Sequence, residues 1–115
     1  MSIASDLIRG NTETIILAQL MQGDSYGYVI NKAILCKTER QFELKEATLY
    51  TAFRRLEDAG CICSYWGDET TGARRKYYSI TDTGRKTYAQ RKQEWNSAKE
   101  LIDKLLAQEE TGDEQ

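Results

Sequence analysis

The sequence predicts a mainly α (α+β) fold: three short helices, then a β-hairpin, then one long helix. Apolar residues recur at helical spacing as far as Gly60. Two short β-prone runs follow, on either side of a polar turn that contains glycine. After Thr81 a seven-residue apolar repeat continues almost to the end of the chain. The length of 115 residues fits one domain, and a hydrophobic content of 40% fits a folded core.

Three helices are predicted in the first half of the chain. The first begins at Asn11 or Thr12, either of which can cap it, and stops at Gly23. We expect Ser25 to cap the second helix, whose buried stripe consists of Tyr26, Val29, Ile30, Ala33 and Ile34. The third helix runs from about Lys45 to Ala59, and its core-facing residues are Leu49, Ala52, Phe53 and Leu56. No strand is expected before the end of this helix.

The second half is predicted to form a hairpin and a single helix. Residues 61–66 and 75–80 are β-prone and flank a polar turn, 67–72. From a cap at Thr81 to Leu106, a helix would carry an apolar seam made of Tyr88, Trp95, Ala98, Ile102 and Leu105. Such a helix spans about 40 Å, more than the rest of so small a domain can cover. We therefore expect a second copy of the chain to bury the seam.

Composition excludes several classes of function. The chain has no histidine, which excludes an imidazole acid or base, a histidine-activated nucleophile and a His-ligated zinc. We therefore expect no enzyme, no metal and no cofactor. Cys36, Cys61 and Cys63 are expected to be reduced, small core residues, and the alternative of a redox or metal site lacks further ligands. No apolar run resembles a membrane span or signal peptide, which favours the cytoplasm.

The formal net charge of −2 conceals an uneven distribution. Residues 1–44 carry a net charge of −1, residues 45–92 carry +4, and residues 93–115 carry −5. Binding depends on the local potential within about one Debye length, roughly 8 Å at physiological salt. The basic middle segment is therefore able to bind phosphates, whereas the acidic residues 107–115 have no large apolar side chain and are expected to be disordered.

Three helices followed by a hairpin with a basic second strand is the element order of a winged helix-turn-helix. The third helix of that fold enters the major groove of DNA. With its apolar side inward, this helix presents groups suited to phosphates and base edges, namely Thr48, Thr51, Arg54, Arg55 and Asp58, with Tyr50 at the margin. The wing adds Arg74, Arg75 and Lys76. The alternatives are an ordinary solvated helix face, and wing charges that keep an edge strand from aggregating.

Six stretches make the prediction more specific: Gly27-Tyr28, Glu46-Ala47-Thr48-Leu49-Tyr50, Arg55-Leu56-Glu57, Ser64-Tyr65-Trp66-Gly67, Arg75-Lys76-Tyr77-Tyr78 and Ile80-Thr81-x-x-Gly84. In this combination, over roughly residues 9–106, the chain resembles the PadR family of bacterial transcriptional regulators. The resemblance implies a homodimer on a double-stranded DNA operator. Residues 1–80 would form the DNA-binding domain and residues 81–106 the dimerisation helix. A single helix after the wing is similar to the short branch of the family, which includes multidrug-responsive repressors.

Two further sites follow from the resemblance. Lys45 stands where several relatives have a capping residue such as asparagine. Lysine there destabilises the helix start, so we hypothesise that it meets a DNA phosphate.

Trp95 looks like the aromatic residue on which drug-responsive members stack planar ligands, with plain seam packing as the alternative. Arg91 and Lys99 lie four residues either side of it, and Leu7 is expected to wall the same cavity. Unless Glu13 or Glu100 neutralises these cations, a planar aromatic anion is the expected effector.

Two rival functions remain open from the sequence. One is a small acidic enzyme with Asp68 and Glu69, although these residues lie on a turn without a recognisable partner. The other is a winged-helix protein-interaction module that has no affinity for DNA, which the net negative charge favours. The dependence of binding on salt separates a DNA-binding protein from this module, because apolar docking changes little with salt.

Overall fold

The computed structural model describes residues 3–67 and 74–108 of the chain, with side chains from residue 6. The element order is α1 (Ile3–Arg9), α2 (Thr12–Leu20), β1 (Ser25–Tyr26), α3 (Gly27–Lys37), α4 (Glu46–Asp58), β2 (Ile62–Trp66), β3 (Lys76–Ile80) and α5 (Asp82–Leu106). All the predicted helices and both hairpin strands are present. The fold is therefore mainly helical with a small antiparallel sheet, as the sequence predicts.

The prediction for Ser25 and Tyr26 is wrong. These two residues form strand β1, which pairs antiparallel with β3 through Ser25 with Tyr78 and Tyr26 with Tyr77. Helix α3 begins only at Gly27, and Tyr26 occupies its cap position in an extended conformation. Strand β3 would otherwise have an unpaired edge, and pairing satisfies the backbone groups of both segments. A strand thus precedes α3, and the sheet has three strands in the order β1-β3-β2.

The core lies between α2, α3, α4 and one face of the sheet. Phe53 of α4 is 1% exposed and stacks on Tyr78 of β3, with ring centroids 3.9 Å apart and an interplanar angle of 18°. The four residues of α4 predicted to face the core are all buried. Of the three cysteines only Cys61 is buried, so the prediction that Cys36 and Cys63 are core residues is wrong. Cys63 lies at an exposed, alternate position of β2.

The turn before α4 is fixed by side-chain hydrogen bonds from α3. The amide of Asn31 donates to the carbonyl of Leu44 at 2.7 Å and accepts from its backbone N–H at 2.8 Å. The hydroxyl of Thr38 accepts from the N–H of Phe42 at 3.1 Å. Within this turn, between Thr38 and Phe42, the backbone at Glu39 and Arg40 takes positive φ values of 55° and 65°, which residues other than glycine rarely adopt. The start of α4 is therefore set by α3.

The start of α5 explains the predicted Thr81-x-x-Gly84 pattern. The hydroxyl of Thr81 accepts from the N–H of Gly84 at 3.0 Å and donates to the carbonyl of Gly60 at 2.6 Å. The N–H of Thr81 donates to the carbonyl of Cys61 at 2.9 Å. A Cβ on Gly84 would clash with that same carbonyl and lie 2.7 Å from Ile80 Cγ1. Helix α5 thus leaves the sheet at one defined angle.

The far half of α5 has little contact with the rest of the described chain. Leu101, Ile102, Leu105 and Leu106 are between 48% and 81% exposed. Tyr88 near the start of the helix is half-buried and packs against the core, and Ala98 is half-buried. Only the first part of the predicted seam is therefore covered by the rest of the described chain.

Replacing Gly84 with alanine should destabilise the protein. The new methyl group would overlap the Cys61 carbonyl, and overpacking of this kind costs about 1–3 kcal/mol. At a solvated helix position, by contrast, replacing glycine with alanine would stabilise the protein, because alanine is favoured over glycine within a helix by about 1 kcal/mol. Urea unfolding followed by circular dichroism measures the change. Gly10→Ala is the control, because its Cβ would lie at an ordinary 3.7 Å from Leu7 O; a Gly84→Ala variant as stable as the wild type would contradict the prediction.

Candidate nucleic-acid interface and adjoining cavities

The outward side of α4 carries the polar residues that the sequence places there. Thr51, Arg54, Arg55 and Asp58 are exposed, and Thr48 is half-buried. Lys45 is exposed at the N-cap position and its side chain makes no capping hydrogen bond. Because the inner side of α4 is buried in the core, the orientation of the helix is fixed and these polar groups face outward together.

Tyr50 combines exposure with packing. It is 45% exposed, and its ring meets Phe53 edge-on at 5.6 Å between centroids. The Tyr50 hydroxyl lies over Gly27, where a Cβ would come within 2.8 Å of it. This contact gives the Gly27-Tyr28 and Thr48-Leu49-Tyr50 stretches a shared physical reason: the first residue of α3 lacks a side chain so that α4 can approach it.

The cations at the base of the wing lie over aromatic rings. Arg74 lies 5.0 Å from the ring centroid of Trp66, and Arg75 lies 5.1 Å from that of Tyr26. Lys76 lies 5.9 Å from the ring of Tyr78. All three cations are exposed, and such contacts restrict side chains without neutralising their charge. The proposed acidic pair, Asp68 and Glu69, falls outside the described residues.

An aromatic ladder crosses the outer face of the sheet and supports the wing. Tyr77 stacks on Tyr65 with centroids 5.6 Å apart and meets Tyr26 edge-on at 5.1 Å. The Tyr65 hydroxyl donates to Asp24 at 2.6 Å, and this hydrogen bond is the main cause of a raised pKa of Tyr65. One ring from each strand therefore takes part, which ties the wing to the short strand before α3.

A polar groove of about 600 Å³ lies between the start of α2, the outward side of α4 and α5. Its lining includes Arg9, Glu13, Thr51, Arg55 and Arg91. Glu13 is 26% exposed and lies within 4.0 Å of Arg55 and of Arg91, one through each carboxylate oxygen. The groove thus joins the candidate DNA-reading helix to the long C-terminal helix.

A second cavity lies between α1, α2 and α5. It has a volume of about 290 Å³ and mostly apolar walls. Leu7 and Trp95 both line it, and its other walls include Ile15, Tyr88 and Lys92. Trp95 is 42% exposed. Arg91 does not line this cavity, because it points into the polar groove beside Glu13, and exposed Lys99 is not among the lining residues either. The cation that lines the apolar cavity is Lys92.

Sequence reasoning missed several residues that hold the site together. No sequence pattern marks the Asn31 amide or singles out Lys92 among the cations of α5. The sequence offers Glu13 as a neutralising group for Arg91, beside which it lies, but it does not indicate the contact of Glu13 with Arg55 on α4. Two of the aromatic partners of the wing cations, Trp66 and Tyr78, lie in the two predicted hairpin strands. The third, Tyr26, belongs to β1, which the sequence does not predict. In the part of the chain that the structure describes, no cluster of three possible metal ligands occurs and no helix could span a membrane.

The helix-turn-helix of α3 and α4, followed by the β2–β3 hairpin, defines a winged helix-turn-helix protein. Residues 16–90 match the transcriptional regulator PadR-like family. A transcriptional regulator from Clostridium thermocellum is 51% identical, with a TM-score of 0.84 over 92% of this chain and 100% of that one. A PadR family transcription regulator from Clostridium difficile is 36% identical, with a TM-score of 0.72 over 84% and 99%.

An uncharacterised protein X of Lysinibacillus sphaericus is 44% identical over 90% of this chain and 95% of its own length. The chain belongs to the PadR-like family of transcriptional regulators, which confirms the resemblance that its sequence motifs carry.

Tyr78 beneath α4 should make the fold sensitive to alkali. Burial is the main cause of its raised pKa, and the nearby Glu57 adds to the shift. The folded state therefore holds the phenol proton more tightly than the unfolded chain does. The resulting stability is fully present below about pH 10, the unfolded pKa, and is lost as pH rises through the folded pKa.

Tyr78→Phe keeps the ring and removes the ionisable hydroxyl, so unfolding by alkali should shift to higher pH. At pH 7 the free energy of unfolding should change by less than about 1.5 kcal/mol. Circular dichroism during a titration from neutral to alkaline pH measures the midpoint. The exposed Tyr28→Phe is the control, and an identical alkaline midpoint in wild type and Tyr78→Phe would contradict the interpretation.

Proposed function

We propose that this PadR-like regulator is a cytoplasmic, homodimeric DNA-binding repressor that a planar aromatic small molecule releases from its operator. The observation that carries the proposal is the outward side of α4, where Thr48, Thr51, Arg54 and Arg55 stand on a helix whose other side is buried. Hydroxyl and guanidinium groups on a rigid helix suit base edges and phosphates. In this arrangement α4 enters the major groove, and Lys45 at its N-terminal end lies close to the phosphates.

The wing supplies the second contact with DNA. Arg74, Arg75 and Lys76 are exposed at the end of β3 that is distant from the core, and their aromatic partners limit the conformations that must be ordered on binding. Glu57 on α4 carries a negative charge that would repel DNA phosphates. It has a structural role as well, since it accepts a hydrogen bond from Ser64 at 2.7 Å. Residues 45–92, which include α4 and the wing, carry a net charge of +4, so positive charge is concentrated here although the whole chain carries −2.

The far half of α5 supports a dimer. Exposed Leu101, Ile102, Leu105 and Leu106 form an apolar surface that a monomer would leave in water. A second α5 packed on this surface, with Trp95 and Ala98 at its near end, would bury it. The two recognition helices would then meet successive major grooves about 34–36 Å apart on a pseudo-palindromic operator.

The apolar cavity supports an effector site. Leu7 and Trp95 line it together, and a planar aromatic molecule can stack on the indole. Lys92 in the wall favours an anionic group on that molecule. Release of DNA requires that the ligand bind one arrangement of the dimer more tightly than the other. Ligand entry beside α5 would change the relative orientation of the two wings and hence the half-site spacing.

A protein-interaction module without DNA affinity is the second candidate function. Exposed Asp58, on the same side of α4 as the arginines, favours it. Docking through apolar contacts would be almost independent of salt, whereas binding that releases counterions from DNA weakens with a slope of about −0.9 per phosphate contacted.

DNA binding should depend on Arg54 and on salt. We expect the protein to shift short duplexes from the region upstream of its own gene, and Arg54→Ala to weaken binding by about 1–3 kcal/mol. Fluorescence anisotropy at several salt concentrations measures affinity and slope. Lys86→Ala is the control, because Lys86 is an exposed cation near the start of α5, which follows the end of the sheet away from the wing. Absence of any salt-sensitive binding would favour the interaction module.

Effector binding should quench or shift the fluorescence of Trp95. A planar aromatic anion should bind more tightly than a planar cation of similar size, because Lys92 lines the cavity. Titration of both classes into wild type and into a Trp66→Phe variant isolates the Trp95 signal. Lys92→Gln should reduce the preference for the anion, and tighter binding of the cation by wild type would contradict the proposed site.

A further inference from the structure

Glu13 is positioned between the candidate DNA-reading helix and the long C-terminal helix. Its Oε2 lies 3.9 Å from a guanidinium nitrogen of Arg55 on α4, and its Oε1 lies 4.0 Å from a guanidinium nitrogen of Arg91 on α5. The Glu13 side chain is 26% exposed, whereas the Arg55 side chain is 73% exposed. One acidic group on α2 is therefore shared by basic groups from two other helices.

The Arg55 guanidinium has two competing uses. In the proposed function it meets DNA, but within the subunit it lies beside a carboxylate that offsets its charge. Because Arg55 is largely exposed, it can move from Glu13 to a phosphate without disturbing the buried side of α4. The DNA phosphate and the Glu13 carboxylate are both oxyanions, so each guanidinium interaction with one reduces its interaction with the other.

Arg91 changes the strength of this competition. It interacts with the second oxygen of the same carboxylate, so it weakens the negative field that Glu13 exerts on Arg55. The other charged group that lines the groove, Arg9, is paired with Asp6 at 3.3 Å. Arg91 lies one helical turn before Trp95 on α5, and α2 presents Glu13 to the groove and Ile15 to the apolar cavity. A displacement of α5 along α2 would thus alter the contact between Arg91 and Glu13.

We propose that Glu13 is an internal competitor with DNA for Arg55, and that Arg91 sets the strength of this competition from α5. Glu13 and Arg91 are then positioning residues that act through Arg55 and do not touch DNA themselves. The proposal rests on the proposed DNA binding. It means that a movement of α5 can change how strongly Arg55 binds DNA, in addition to any change in half-site spacing.

The first test removes the competitor. Glu13→Gln should bind duplex DNA from upstream of the gene about two- to fivefold more tightly at low salt, the range expected for a partly exposed ion pair. Loss of any acidic group raises affinity for DNA in general, so Glu94→Gln is the control. Glu94 is exposed on α5 and accepts a hydrogen bond from Gln90 at 3.2 Å. Its substitution by glutamine changes the net charge by the same amount as Glu13→Gln. Equal affinities of Glu13→Gln and Glu94→Gln would overturn the proposal.

The second test separates an indirect role of Arg91 from a direct DNA contact. Arg91→Gln should weaken binding about two- to fivefold in the wild-type background, because Glu13 then acts on Arg55 alone. In the Glu13→Gln background the same substitution should weaken binding no more than Lys86→Gln does, because Lys86 is an exposed cation of α5 and its loss reports the general effect of charge. A larger loss in this background would mean that Arg91 contacts DNA and would overturn the proposal.

Circular dichroism melting of each variant confirms that it is folded at the temperature of the binding assay, and Arg91→Lys, which retains the charge, should restore most of the affinity. If the wild type shows no salt-sensitive binding, both the proposed function and this inference fail. If the wild type binds but Glu13→Gln matches Glu94→Gln, or Arg91→Gln weakens binding in the Glu13→Gln background more than Lys86→Gln does, only this inference fails.

Discussion

The stack of Phe53 on Tyr78 is the contact on which the rest of the structure depends. It joins the middle of α4 to the central strand of the sheet at a centroid distance of 3.9 Å, and both residues are buried. Since a helix has one inward side and one outward side, fixing Phe53 also fixes which residues of α4 face solvent. The same strand carries Tyr77 on its other face, where the aromatic ladder begins. One pair of rings therefore sets the orientation of both α4 and the wing.

Much of this arrangement could be predicted from the sequence because it depends on local periodicity. The apolar spacing of Leu49, Phe53 and Leu56 determines the buried side of α4, and the cap at Thr81 determines where α5 begins. Ser25 is the instructive failure. Its hydroxyl suits a helix cap, but the segment instead pairs with the open edge of β3, which is distant in sequence. Ser25 and its neighbours contain no pattern that indicates this pairing.

The candidate site was only partly predictable for the same reason. Side chains on the outward side of α4 follow from its helical period, and the structure leaves them where the period places them. Which cation lies beside Trp95 depends on how α5 is rotated against α2, and this rotation selects Lys92 for the cavity and Arg91 for the groove. Pairings such as Asn31 with Leu44 depend on the path of a turn containing two residues with positive φ. Helix periodicity alone contains neither piece of information.

The tight junction at Gly84 has a mechanical consequence for α5. The helix is held at one end by Thr81 and by the close approach to the Cys61 carbonyl, and it extends over 25 residues from there. At ~1.5 Å per residue, a tilt of about 5° at the junction moves the far end by roughly 3 Å. Helix α5 is thus a lever arm with its fulcrum on the sheet. Small changes in packing beside its first turns are amplified where its exposed leucines lie.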